Sequence, residues 1–263
     1  MSAPPPNAEP FDRLARRRQR ARVSGTADFL RAAIARELAE RVAALDRRFG
    51  AVLDIGRSGI TGDHTVALDT SAARVRVNNA VAGDEDRLPF ADGSFDLIAS
   101  AAALHGVNDL PGALIQARRA LKPGGAFVAG FFGGTSLREL RADLLAAESD
   151  LTGRAAARTL PMVDTDMAAG LLQRAGFTDP VAEVDTIAVR YDDLFALLRD
   201  LRAMGEGNIL ASRVPLRRDV LADAARRFAA RADAAGRVAV TVQVIYLTGW
   251  ARASPSAHGA LAQ

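Results

Sequence analysis

The sequence predicts a doubly wound α/β domain, and the clearest evidence lies between Gly83 and Phe132. Phe95–Ser100 and Ala126–Phe132 are short apolar runs, typical of strands that are buried on both faces of a sheet. Between them, Asp109–Leu121 has the apolar spacing of an amphipathic helix and the length of a crossover connection. We therefore expect the two strands to be parallel neighbours.

Composition limits the classes of protein to which the chain can belong. With 263 residues, 49% of them hydrophobic and 25% charged, it has the composition of a globular protein. No apolar run approaches the roughly 20 residues of a membrane-spanning helix, so we expect no span, a cytoplasmic location and at most peripheral membrane association. The absence of cysteine excludes disulfides and thiolate metal sites. The scattered histidines, His64, His105 and His258, predict no metal site.

Residues 1–27 are proline-rich and then basic, and we interpret them as a partly disordered N-terminal arm. The basic run, Arg13–Arg22, lacks the apolar stretch of a secretory signal. It is either an arm that contacts an acidic partner or a membrane surface, or a helix face exposed to solvent, and the second interpretation is favoured. The net charge is only +3, so we expect no nucleic-acid partner.

The first half of the predicted sheet is abbreviated. Ala51–Ile55 has the pattern of a strand, and the next strand, Thr65–Leu68, begins after only nine residues. A parallel crossover needs at least ~10–12 residues, so little or no helix fits. The following connection, Thr70–Arg74, is shorter still and leads to a third apolar run, Val75–Val77. Either Thr65–Leu68 and Val75–Val77 pair as a hairpin, or the sheet is thinly covered on one face.

The second half of the chain predicts a helical elaboration with closing strands. We divide the domain into a core at 28–132, an elaboration at 133–251 and a flexible tail at 252–263. Ser136 and Glu139 have the spacing of a capping box at the start of a helix. Helical periodicity and strand-like alternation then predict helices at 136–151, 166–175, 192–205 and 217–233, and strands at 177–189 and 238–250.

The order of three motifs carries a family resemblance: the acidic loop GDEDRLPF, the strand SFDLI and the turn LKPGG. Together they resemble the class I S-adenosylmethionine (SAM) methyltransferases with a type 11 methyltransferase domain. A subgroup that contains complex I assembly factor 5 and, more distantly, malonyl-acyl-carrier-protein O-methyltransferase is similar over about residues 11–251. The segments that carry this similarity are FDRLARRRQRAR, HGVNDLPGAL, GGTSLRELR, LLQRAGFTDPV, LLRDLRAMGEGN and VIYLTGWA. The resemblance implies a Rossmann-like sheet and SAM as the cofactor.

The resemblance also implies cofactor-binding roles for acidic residues near the strand ends. Asp54 matches the acid near the aminocarboxyl end of the cofactor, and Asp69 matches the acid that accepts hydrogen bonds from the ribose hydroxyls. Asp84 matches the acid that receives the adenine amino group, with backbone supplied by Glu85. Two alternatives remain open: Asp54 as a structural acceptor for loop N–H groups, and Asp69 as a turn-forming residue.

Small residues and one histidine complete the predicted site. Gly56 and Gly59 are available for the turn at which the cofactor would lie, and Ala101 is placed with them at a strand end. His105 follows that strand end, where a doubly wound sheet has its cleft. It is either a catalytic base, because an imidazole exchanges protons near neutral pH, or a residue that only shapes the pocket.

These inferences lead to two competing functions. The first is a SAM-dependent methyltransferase-like enzyme that acts on a protein or carrier-linked acceptor, with a respiratory complex I subunit as a candidate partner. Complex I assembly factor 5 is itself associated with arginine hydroxylation, so the reaction is not inherited from the fold. The alternative is a non-catalytic assembly or binding protein that has lost SAM binding, which the short connections favour.

Overall fold

A computed structural model describes residues 9–23, 28–75 and 79–253 and contains a seven-stranded sheet of order β3-β2-β1-β4-β5-β7-β6. Its strands are β1 (Ala51–Ile55), β2 (His64–Asp69), β3 (Ala80–Ala82), β4 (Phe95–Ala101), β5 (Leu121–Gly133), β6 (Thr178–Tyr191) and β7 (Val238–Trp250). The helices are α1 (Arg13–Ala21), α2 (Phe29–Ala44), α3 (Leu110–Ala120), α4 (Arg138–Thr152), α5 (Ala168–Ala175), α6 (Leu194–Ala203) and α7 (Arg218–Ala229). Among the described residues, no helix combines the length and apolarity needed to cross a membrane.

The predicted α/β architecture is confirmed. Strands β4 and β5 are parallel neighbours, and α3 connects them. Strand β7 runs antiparallel to β5 on one side and to β6 on the other, so β6 forms the edge of the sheet. Strand β5 already begins at Leu121, and Lys122–Gly125 therefore lies at the start of the strand instead of forming a separate turn.

The abbreviated half keeps its parallel order, and the hairpin alternative is wrong. Strand β2 pairs in parallel with β1 and with β3, and the third strand is Ala80–Ala82. The connection after β2 contains one 3₁₀ turn, Ala72–Arg74, and continues beyond it, so the chain is long enough to return to the other end of the sheet. Of the predicted strand at 75–77, Val75 lies outside any strand and 76–77 fall outside the described residues.

The loop between β1 and β2 covers part of the sheet that a helix would otherwise cover. Ile60 is buried in the same apolar cluster as Phe49 and Val52. Gly62 lies so close to β1 that a Cβ atom there would be 2.6 Å from Val52 Cγ2. The loop therefore packs onto the sheet directly, and Gly62 makes this close approach sterically acceptable.

Apolar clusters on both faces of the sheet position the helices. Helix α2 contributes Ile34 and Leu38 to one face, and α3 and α5 contribute Leu114 and Leu172 to the other. A third cluster around Phe228 joins α4, α6 and α7 to β6 and β7. The helices of the elaboration are thus packed against strands β6 and β7.

Helix α4 does not begin with the predicted capping box. Leu137 precedes it with a φ of 57°, and Ser136 Oγ lies within hydrogen-bond distance of the carbonyl oxygens of Gly133 and Gln243 and accepts from the Gln243 N–H. Glu139 accepts hydrogen bonds from the backbone N–H and hydroxyl of Thr241 in β7. Both side chains are therefore engaged by the sheet, which explains why local spacing did not predict their roles. The predicted disorder at 1–8 and the loose tail from Ser254 lie outside the described residues.

Candidate active site at the carboxyl edge of the sheet

The predicted cofactor residues lie along one edge of the sheet. Asp54 lies in β1, Asp69 ends β2 and Ala101 ends β4. Asp84 and Glu85 lie in the loop after β3. Since the four strands are parallel, their carboxyl ends meet at this edge, where ligands bind in open α/β sheets.

Asp54 is engaged by the turn that follows its own strand. Its Oδ1 accepts hydrogen bonds from the N–H of Ser58 at 2.6 Å and from the Ser58 hydroxyl at 2.7 Å. Its Oδ2 accepts from the N–H of Gly59 at 3.1 Å. Burial raises the pKa of Asp54 in spite of these bonds. The geometry is that of the structural alternative, an acceptor for loop N–H groups.

Arg31 of α2 holds the backbone at the start of this turn. Its Nη1 donates to the carbonyl oxygens of Gly56 at 2.9 Å and Ala101 at 2.6 Å. Burial and the neighbouring Arg20 lower the pKa of Arg31 to about 10. Gly56 has a φ of 73°, and a Cβ atom there would lie 2.7 Å from the Ala101 oxygen. By contrast, Gly59 faces open space.

Asp69 lies between two arginines from different elements. Its Oδ2 accepts from Arg20 Nη2 of α1 and from Arg74 Nε, both at 2.9 Å. Its Oδ1 accepts from the N–H of Ser71 at 2.9 Å, as the turn-forming alternative requires. Burial opposes ionisation, but Arg20 and these other donors lower the pKa of Asp69. The arginine contacts were not predicted.

The acidic loop after β3 is paired with the same helix. Arg16 forms a bidentate pair with Glu85 at 2.6 and 2.9 Å and also donates to the Ala103 carbonyl oxygen. Arg17 Nη2 lies 2.9 Å from Asp84 Oδ2. One turn earlier, Arg13 forms a bidentate pair with Asp86. Together with the pair of Arg20 and Asp69, these contacts form an array of four arginines and four acids, and three of the acids lie in this loop.

The interpretation of this basic run as a solvent-exposed helix face is wrong for Arg16 and Arg20, which are both buried. The reason is that their charges are compensated by acids of the same chain. The i, i+4 spacing of Arg16 and Arg20, and of Arg13 and Arg17, places each pair on one helix face. That spacing, together with the acids near the strand ends, is the signal that could have revealed the array.

His105 is held by Glu206, a carboxylate that the sequence analysis did not identify. Its Nε2 lies 2.7 Å from Glu206 Oε2, and its ring packs against Phe132 with a centroid separation of 4.9 Å. Burial opposes ionisation of Glu206, but His105, Arg31 and Arg20 lower its pKa to about 2. An ionised carboxylate only accepts, so the proton of this hydrogen bond is assigned to Nε2.

Several buried polar atoms near this edge have no hydrogen-bond partner among the described residues. They are Thr70 Oγ1, Ser100 Oγ, His105 Nδ1 and Arg20 Nη1. Buried polar atoms are normally paired, so unpaired ones indicate a place for a polar ligand or water. No group of His, Asp or Glu in the described ranges is arranged to hold a metal ion.

A cavity of about 430 Å³ adjoins His105 and Glu206 on the side of the helical elaboration. Its size is within the range of small-molecule sites, roughly 300–1,000 Å³. Its walls are mainly apolar side chains from several elements, including Phe132, Leu140, Leu144, Leu160, Met162, Leu198, Leu201 and Val242. Arginines at 158, 202 and 213 also line it, whereas Glu206 is the only carboxylate among its lining residues.

Comparisons with known proteins agree with this architecture. Residues 24–129 match the methyltransferase domain family. The arginine-hydroxylase NDUFAF5, mitochondrial, of Danio rerio is 33% identical, and the match covers 95% of this chain and 86% of that protein. The human protein of the same name is 35% identical over 88% of this chain and 74% of its own length.

The chain belongs to this methyltransferase-domain family. A malonyl-[acyl-carrier protein] O-methyltransferase of Methylovorus is 36% identical, covering 70% of this chain and 59% of that protein. The YcgJ protein of Bacillus subtilis has the same fold, with a TM-score of 0.55 at 15% identity over 82% of this chain and 98% of its own. The chain is thus a methyltransferase-like enzyme related to NDUFAF5, and the non-catalytic alternative is not favoured.

The residues at the carboxyl edge fit SAM, the cofactor that the family implies, in their chemistry. Carboxylates at successive strand ends offer acceptors for hydroxyl and amino groups, and the unpaired Thr70 Oγ1 and Ser100 Oγ leave further polar atoms available. Gly59 leaves open space beside Asp54. The carboxylates of Asp69 and Glu85 are, however, paired with arginines of α1.

Proposed function

We propose that this chain is a SAM-dependent methyltransferase whose cofactor lies along the carboxyl edge and whose acceptor, carried by a protein or a carrier, enters the adjoining apolar cavity. The observation that carries the proposal is the position of His105. It follows β4 at the carboxylate-lined edge and also lines the 430 Å³ cavity. A group at this junction can act on an acceptor that meets the cofactor there.

The cofactor-binding roles proposed from the sequence are assigned as follows. Asp69 would accept hydrogen bonds from the ribose hydroxyls. Asp84 would accept a hydrogen bond from the adenine amino group, and the Glu85 backbone would contribute to the same contact. Asp54 would act indirectly, because its oxygens hold the Ser58–Gly59 turn that forms the floor of the slot. Gly56 and Ala101 would form its wall through the backbone that Arg31 holds.

The roles of His105 and Glu206 follow from their hydrogen bond. SAM supplies an activated methyl group when it is bound, so the protein must mainly align the acceptor and remove its proton. Glu206 accepts a hydrogen bond from His105 Nε2–H and thereby fixes the ring orientation, which leaves His105 Nδ1 without a partner among the described residues. Nδ1 would take up the proton that the acceptor group loses on methylation.

The cavity favours an apolar acceptor over a cationic one. A guanidinium group would need a free carboxylate, but the one carboxylate that lines the cavity, Glu206, is engaged by His105. Apolar walls with arginines among them suit a carrier-linked acyl group or an apolar protein segment. The kinship to NDUFAF5 supports a link to complex I assembly, and we propose a complex I subunit as the protein partner if the acceptor is protein-borne. The cytoplasmic location stays a prediction.

Calorimetry with SAM and S-adenosylhomocysteine tests cofactor binding. We expect saturable binding by the natural chain and loss of at least about tenfold in affinity in Asp84→Ala, because a charged acceptor is removed from the slot. The matched control is Asp92→Ala, since the Asp92 side chain is 65% exposed and forms only a surface pair with Arg119. The control should bind like the natural chain.

Transfer is tested with isotopically methyl-labelled SAM and an extract of cells that lack this protein. Label in the acyl-carrier or protein fraction, lost in His105→Ala but retained in Asp92→Ala, is the expected result. Absence of binding at millimolar S-adenosylhomocysteine, by the natural chain and by Arg20→Gln alike, would contradict the proposal. So would binding without label in either fraction.

A further inference from the structure

We infer that the arginines of α1 compete with the nucleoside part of the cofactor for the same carboxylates, so that the chain carries its own inhibitor of cofactor binding. This inference rests on the proposed function, because it names a regulation of that same site. Asp69 and Asp84 are proposed to hold the ribose hydroxyls and the adenine amino group through their carboxylates. Arg20 is paired with the carboxylate of Asp69, and Arg17 and Arg13 are paired with that of Asp84.

Burial makes this competition strong. The side chains of Arg20 and Asp69 are only 6% and 1% exposed, and Glu85 is 2% exposed. A buried carboxylate that loses its partner is left with an uncompensated charge, which is strongly unfavourable. Arg20 is therefore displaced from Asp69 only by a ligand that donates hydrogen bonds in its place, because the Ser71 N–H and Arg74 already occupy other acceptor sites of this carboxylate.

Two glycine-containing contacts hold α1 in the competing position. Gly106 provides room for the Arg16 side chain, because a Cβ atom there would lie 3.0 Å from Arg16 Nε. Gly205 lies against the end of the basic run, since its Cβ would be 2.7 Å from Val23 Cγ2. At the other end, Phe11 forms a β-bridge with Leu210. With both ends anchored, we expect the guanidinium groups to withdraw while the helix stays in place.

The decisive experiment compares the two partners of one ion pair by calorimetry with S-adenosylhomocysteine. Asp84→Ala should weaken binding, whereas Arg17→Gln should strengthen it about two- to threefold, a modest change because Arg17 is half-exposed and Arg13 Nη1 remains 3.1 Å from Asp84 Oδ2. A purely structural ion pair would respond in the same direction at both ends. Arg18→Gln is the matched control, because Arg18 lies on the exposed face of the same helix.

The buried pair of Arg20 and Asp69 gives the larger effect. Arg20→Gln should bind S-adenosylhomocysteine at least about tenfold more tightly than the natural chain. Its melting temperature without ligand should fall, while the rise on adding ligand should increase. This opposite movement of stability and affinity is the signature of competition, and Arg18→Gln should show neither change. If Arg20→Gln does not fold, Arg17→Gln alone decides.

The outcomes separate this inference from the proposed function. Binding by the natural chain, with equal or weaker binding by the arginine variants, would overturn the competition and leave the proposed function intact. Failure of the natural chain and the arginine variants alike to bind at millimolar ligand would overturn both. Binding by the arginine variants alone would be the strongest support, because the competitor would then dominate in the natural chain.

Discussion

At the scale of single residues, the His105–Glu206 pair shows how burial can be compensated by nearby charge. Glu206 lies near three basic side chains, those of His105, Arg31 and Arg20. Its Oε2 is 2.7 Å from His105 Nε2, and its Oε1 is 3.9 Å from Arg31 Nη2. These neighbours lower its pKa from 4.5 to about 2 although burial acts in the opposite direction. Glu206 therefore stays ionised through the range in which an imidazole base works.

This pKa shift predicts a pH-dependent contribution to stability. The folded pKa of Glu206 is below its ordinary value of 4.5, so its stabilisation is present above pH 4.5 and is lost as the pH falls towards 2. At pH 7, Glu206→Gln should lower the free energy of unfolding by on the order of 3 kcal/mol, and this difference should shrink between pH 4.5 and the acid limit of folding. Denaturant titrations at several pH values measure it.

The control for this prediction is Glu40→Gln on the exposed surface of α2. Its unfolding curve should follow that of the natural chain at every pH. A deficit in Glu206→Gln that stays constant down to pH 3 would contradict an ionised Glu206 as its cause.

Residue roles were only partly predictable from the sequence. Strand ends and motif order predicted where Asp54, Asp69, Asp84 and His105 would lie. Their partners could not be predicted, because Arg20 reaches Asp69 and Glu206 reaches His105 only through the tertiary fold. Arg31 gave one weak signal, since it shares a helical face with Ile34 and Leu38, which are both buried.

At the scale of elements, strong local patterns predicted structure well and short segments did not. Strand β4 and helix α3 agree with the sequence prediction to within one or two residues. The third strand was misplaced, because Ala80–Ala82 has only three residues and no distinctive pattern. The start of α4 was misplaced because the Thr241 hydroxyl and the Gln243 N–H of β7 donate to the predicted capping groups.

Helix α6 offers a quantitative test of a local cap. Asp193 Oδ1 accepts a hydrogen bond from the N–H of Ala196 at 2.6 Å. Asp193→Ala should therefore cost about 1 kcal/mol of stability. For a chain of this size, thermal denaturation should show a melting temperature about 2–4 °C lower.

Asp192→Ala is the matched control, because that side chain is 80% exposed and pairs only with the exposed Arg237 at 3.1 Å. It should melt close to the natural chain. Equal losses in the two variants would show that the cap contributes no more than a surface charge.

At the scale of the whole molecule, a charged environment and an apolar one meet at His105. The carboxyl edge is polar and densely charged, and the cavity beneath the elaboration is apolar. The doubly wound order of the sheet was predictable from strand and helix periodicity. The cavity was not, because its walls come from segments far apart in the chain, such as Phe132, Met162 and Val242.

This separation predicts that the two environments can be altered independently. Met162→Trp should fill part of the cavity and reduce methyl transfer at least about tenfold, since a larger side chain leaves less room for the acceptor. Its affinity for S-adenosylhomocysteine should not change. Labelled-methyl assays and calorimetry on the same preparation measure the two effects.

Met167→Trp is the control, because Met167 is 56% exposed and does not line the cavity. Both transfer and ligand affinity should be those of the natural chain. A Met162→Trp variant with weakened ligand affinity would contradict the separation.

Strands β1 and β2 are joined without a helix, and this affects how substitutions act on the turn that follows β1. A helix start offers main-chain N–H groups, which almost any sequence provides. Here the turn is held by side chains, namely Asp54 and Arg31. Hydrogen bonds from main-chain atoms are kept when side chains are substituted, whereas the hydrogen bonds that hold this turn depend on two particular side chains. Single substitutions at Asp54 or Arg31 are therefore expected to disturb this turn while the sheet itself remains folded.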